Sequence, residues 1–96
     1  MKTAYTLLSN ASATGAWVPW PGGRGDFRAE AGAFGGGSVT LQCKAPNGTA
    51  IAVSTATTLS TNGRATFELG AGEIRAAVTT ATGVYAQVLR IADAGY

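Results

Sequence analysis

Between Ser38 and Lys44 apolar and polar residues alternate without a break, with Val39, Leu41 and Cys43 set against Thr40, Gln42 and Lys44. Side chains on a strand point to opposite faces with a period of two, so this segment suits a strand with one buried face and one wet face. A helix would scatter the same residues around its circumference. The pattern recurs along the chain. Phe27, Ala29, Ala31 and Ala33 alternate with Arg28 and Glu30, and Ala65, Phe67 and Leu69 fall on one side of their segment. Ile74, Ala76 and Val78 alternate with Glu73, Arg75 and Ala77, and no window carries a helical period.

The segments between these runs are rich in glycine, asparagine and proline. Asn47-Gly48 tolerates the positive φ of a tight hairpin turn, so Ala50–Ser54 is predicted to pair back on Ser38–Lys44 with Ile51 and Val53 inward. Asn62-Gly63 repeats the hairpin signal, and Gly35-Gly36-Gly37 reads as a flexible connector. Thr55–Ser60 reads as a loop or short edge strand. Pro19 lacks a ladder donor, which sends the Trp17-Val18-Pro19-Trp20 piece to a sheet edge. Val84–Ile91 has apolar groups on both faces: Val84, Ala86 and Val88 on one, Tyr85, Leu89 and Ile91 on the other. That predicts either a central strand covered on both sides or a bulge. Many short strands joined by such turns specify an all-β chain, a single small antiparallel β-sandwich.

At 96 residues the chain has length for one domain. Charged residues make up 12% of it, about half the roughly 25% usual in soluble domains, while 46% are apolar. Such a chain is too apolar for a disordered tail, and much of its outer surface is expected to be uncharged or covered by a partner. Its net charge of +2 comes from scattered residues with no basic run, which argues against nucleic acid as a partner. No stretch approaches the roughly 20 apolar residues of a membrane helix, and Ala4–Leu8 is too short for the core of a secretory signal. A soluble protein made inside the cell is expected, and Ala4–Leu8 reads as either a first strand or part of a candidate N-terminal arm over residues 1–12.

Catalytic chemistry finds little to work with. Histidine is absent, which removes the commonest general base and metal ligand. Cys43 therefore has no imidazole to activate it and is expected to be a buried core thiol. The carboxylates Asp26, Glu30, Glu68, Glu73 and Asp93 form no local pair of the kind that glycoside hydrolysis uses. Gly35-Gly36-Gly37-Ser38 lacks the following lysine and the helix of a phosphate loop. Arg24-Gly25-Asp26 matches an adhesion tripeptide, but so short a match recurs by chance; Asn10-Ala11-Ser12 and Asn47-Gly48-Thr49 match the glycosylation pattern and read as turn chemistry. A non-enzyme without metal or cofactor is expected. Trp17 and Trp20 are hard to bury together in so small a core: either one caps the end of the sandwich while the other packs on its own loop, or they join Tyr5, Leu7 and Leu8 as candidate interface residues.

Several of these segments together resemble a recurring type of small bacteriophage virion protein. The resemblance is carried by Trp17, Asp26–Ala31, Phe34–Gln42, the Asn47-Gly48 turn, Gly72–Val78 and Gly83–Ala86, which cover most of the chain. Proteins of this type are capsid decoration or cement proteins, head fibres and small tail components of tailed phages. The resemblance implies a jelly-roll-like sandwich that forms a homo-oligomer, a trimer being favoured, on the outer capsid lattice. It implies the major capsid protein as partner, with synthesis in the host cytoplasm and residence on the virion. The alternative expectation is a carbohydrate-binding or host-recognition tail module with Trp17, Trp20 and Tyr85 as stacking platforms.

Overall fold

A computed structural model describes residues 4–91, and these fold into nine strands without a helix. The strands are β1 (Ala4–Ala11), β2 (Val18–Trp20), β3 (Gly23–Ala33), β4 (Ser38–Lys44), β5 (Ala50–Ala52), β6 (Thr58–Leu59), β7 (Gly63–Leu69), β8 (Gly72–Thr79) and β9 (Thr82–Arg90). Sheet A has the order β1-β9-β3-β7, and sheet B has the order β2-β8-β4-β5, with β6 also paired to β4. All pairings are antiparallel. The two sheets pack face to face as a sandwich.

The alternation seen in the sequence explains the core. Phe27, Val39, Leu41, Ile74, Ala76, Val84 and Val88 are fully buried, and each sits at an inward position of its strand. Trp20 closes one end of the sandwich at 2% exposure. Its ring meets Tyr5 edge-on, centroids 5.4 Å apart, and Phe67 at the same distance, while its Nε1–H donates to Leu69 O at 3.3 Å. Such pairs add about 0.5–1.5 kcal/mol each beyond area burial. Gly25 makes room for this cluster, because a Cβ there would stand 2.6 Å from Phe67 Cζ and 3.1 Å from the Trp20 ring.

Most connections cross from one sheet to the other. Only β4 and β5 form a hairpin, and β6 follows on the same edge of β4. With β5 and β6 counted as one interrupted strand, the two sheets have the strand order of a jelly roll, β1-β9-β3-β7 facing β2-β8-β4-β5. The interruption is stitched from both sides: Val53 N–H donates to Leu41 O and Leu41 N–H to Thr57 O, each at 3.0 Å. Thr57, fully buried, ties the excursion through a 2.9 Å bond from its hydroxyl to Ser54 O.

The structure differs from several of these expectations. Asn62-Gly63 is no hairpin: β6 and β7 lie in different sheets, and Asn62 Oδ1 accepts the Ala31 N–H at 3.0 Å instead. The triple glycine is a tight turn between sheets rather than a flexible connector, closed by Gly37 N–H to Phe34 O at 2.8 Å. Any side chain at Gly37 would collide with the Thr79 carbonyl. Ile51 points inward by register, opposite Cys43, yet is 52% exposed because the facing sheet leaves the end of β5 uncovered. Cys43 is half-buried beside the Gly70–Glu73 turn. The candidate arm is an edge strand over residues 4–11, where β1 pairs with β9 across register shifts; residues 1–3, and the tail from 92 to 96, lie outside the described residues.

Candidate functional site

The five candidate interface residues separate into two groups. Tyr5, Leu7, Leu8 and Trp20 are all less than one-tenth exposed, so the protomer's own core takes up their apolar surface. Alternation alone could not show this, because β1 finds its partner in β9 at the far end of the chain. Trp17, just before β2, stays half-buried on the outer face of sheet B. The Arg75 guanidinium lies 4.5 Å and the Lys44 ammonium 5.6 Å from its ring centroid, both within cation–π range. Arg75 Nε also donates to Gln42 Oε1 at 2.9 Å, and Lys44 pairs with Glu73 at 3.4 Å. Beyond this cluster the outward positions of β4, β5, β6 and β8 carry Ser38, Thr40, Ala50, Ala52, Thr58, Ala77 and Thr79. This face has little charge and small side chains.

The outer face of sheet A is built differently. Arg28 on β3 and Arg64 on β7 sit directly opposite one another, a like-charge pairing that normally destabilises a sheet. Asp26, two residues before Arg28 on the same face, resolves the conflict. Its buried carboxylate accepts from Arg28 Nε at 2.8 Å and reaches Arg64 Nη1 at 3.4 Å. Burying a carboxylate is costly unless it is paired, and here both oxygens are engaged. The two guanidiniums are held by their inner edges, and both side chains remain at least half exposed.

Register extends this arrangement across the sheet. Thr6, Gln87, Arg28 and Arg64 form one row over β1, β9, β3 and β7, and Tyr85 and Glu30 face each other in the next. Beyond them Gly32 and Gly83 put no side chains on the surface. The result is a groove of about 790 Å³ lined by Thr6, Ser9, Arg28, Glu30, Arg64, Tyr85 and Gln87. Tyr85 is 48% exposed. β9 is thus central within its sheet, as its apolar faces suggest, but its outer face is open rather than covered, and the register shifts lie in its pairing with β1.

The remaining motifs take structural roles. Arg24-Gly25-Asp26 lies inside β3 with Asp26 buried under its arginines, not on a presented loop. Asn47 Oδ1 accepts from the Thr49 N–H at 3.1 Å and the Thr49 hydroxyl at 2.7 Å, which is turn chemistry. Asp26 and Glu30 are four residues apart on β3, so their Cα atoms stand about 13 Å apart. Glu68 and Glu73 lie on opposite outer faces. Among the described residues no group of three or more His, Cys, Asp or Glu side chains could hold a metal ion. Comparison of the chain with family models, with curated proteins and with solved structures gives no match.

Proposed function

We propose that this protein is a non-enzymatic structural component of a tailed-phage particle, attached to the outer capsid lattice, where it decorates and stabilises the head. The observation that carries the reading is the strand order, because the jelly roll is an architecture that viral capsid proteins use repeatedly. This is a fold-level argument, and it joins the resemblance of Asp26–Ala31, Phe34–Gln42 and Gly72–Val78 to small virion proteins. The outer face of sheet B supplies the attachment surface: small uncharged side chains around one tryptophan, with charge confined to Lys44, Glu73 and Arg75. Depletion of charge and enrichment in Trp and Arg are marks of interface centres.

In this reading the major capsid protein is the partner, and the protein acts as a homo-oligomer, a trimer being favoured. Stabilisation is mechanical. Each contact is modest, and lattice symmetry multiplies them into an avid clamp. Mass-spectrometric quantification of purified particles is the test. Copy numbers comparable to that of the major capsid protein are expected, whereas a handful of copies, or none, would overturn the assignment.

A further inference from the structure

The groove across sheet A has no part in the attachment just proposed, and its composition is specific enough to read for a ligand. At about 790 Å³ it falls within the range of small-ligand sites. Its cations are balanced: Arg28 and Arg64 stand against Asp26 and Glu30. An anionic ligand would gain little net attraction here and would meet Glu30 beside Tyr85.

The lining instead offers hydrogen bonds of both senses. Arginine donates only, glutamate accepts only, and Gln87 and Thr6 do both. These groups sit in a row about 14 Å long, three interstrand spacings from β1 to β7, with Tyr85 at one side. The Asp26 carboxylate fixes Arg28 at 2.8 Å, so that donor is oriented before any ligand arrives. A molecule that matches this surface is uncharged, carries closely spaced hydroxyls that both donate and accept, and has an apolar C–H face for the exposed ring. It is also longer than one ring.

We infer that the groove binds a neutral oligosaccharide, stacked on Tyr85 and hydrogen-bonded to Arg28, Glu30, Arg64 and Gln87. The inference stands independently of the capsid reading, because it rests on sheet A alone. Amide chemical shifts of the ¹⁵N-labelled full chain are followed during titration with maltohexaose, cellohexaose, N-acetylchitohexaose and mannohexaose, and separately with inorganic phosphate and a heparin hexasaccharide.

At least one neutral sugar is expected to give saturable shifts at Thr6, Arg28, Glu30, Tyr85 and Gln87, with a Kd of about 1 mM or tighter. Tyr85→Ala, at an exposed position, should weaken that binding at least about tenfold, a loss of roughly 1.4 kcal/mol, while leaving the rest of the spectrum unchanged. Tyr85→Phe should retain it, since the ring is preserved. Absence of saturable binding by all four sugars, shifts confined to another surface, binding by the anionic probes alone, or equal affinity in Tyr85→Ala would each overturn the assignment.

Discussion

The two outer faces of this sandwich use the same few residue types to opposite ends. On sheet B an aromatic side chain is covered: Trp17 lies under Arg75 and beside Lys44, and the cations that could have reached a ligand are occupied with its ring, with Gln42 and with Glu73. On sheet A the cations are anchored from below by a buried carboxylate and the aromatic is left open, so donors and ring both face outward. The difference lies in where the carboxylate sits. Glu73 is half-buried at the surface and meets Lys44 at 3.4 Å, whereas Asp26 is sunk between two strands and organises everything above it. Low charge on the first face suits contact with protein, and prepaid orientation on the second suits a small polar ligand.

The largest test of this contrast uses the two tryptophans of one short segment. Trp20→Ala should cost about 3–5 kcal/mol, enough to unfold much of the protein in denaturant titrations, because it empties the space between Tyr5 and Phe67. A variant that stays near wild-type stability would move Trp20 out of the core and reopen its candidacy as an interface residue. Asp26→Asn comes next. It leaves Arg28 opposite Arg64 without the shared counter-charge, and about 1–3 kcal/mol should be lost. Because the residual repulsion lies at the surface, the loss should shrink in 1 M salt, where screening acts within about 3 Å. A loss insensitive to salt would mean that Asp26 matters for packing alone. Smallest is Trp17→Ala, worth about 0.5–1 kcal/mol of cation–π contact in the isolated protein. Thermal melts compare the three directly.

How much of this was legible in the residues follows from the range of each signal. Alternation from Ser38 to Lys44 and from Glu73 to Val78 identifies strands and their inward side, since both are local properties. Asn47-Gly48 identifies a hairpin for the same reason. Asn62-Gly63 has identical turn chemistry but links different sheets, because a dipeptide sets a bend and not the destination of the strand that follows. Ile51 alternates correctly and is still exposed, since coverage depends on a sheet that local pattern does not describe.

The site shows the same division. Asp26 and Arg28 could be placed on one strand face from their spacing, whereas Arg64 joins them from 38 residues away through the β3–β7 register. Tyr85 was legible only as one of the apolar groups on the second face of Val84–Ile91, a face expected to be covered or bulged, and the structure leaves it open. Tyr5, Leu7 and Leu8 fit a strand or an arm equally well from sequence, because their partner strand, β9, begins at Thr82.

If the two faces serve different tasks, a cryo-electron map of the intact particle should show sheet B seated on the capsid with Trp17 at the contact and the Tyr85 groove turned to solvent. Sheet A against the capsid, with Tyr85 buried in that contact, or the absence of the sandwich from the head surface, would contradict that division.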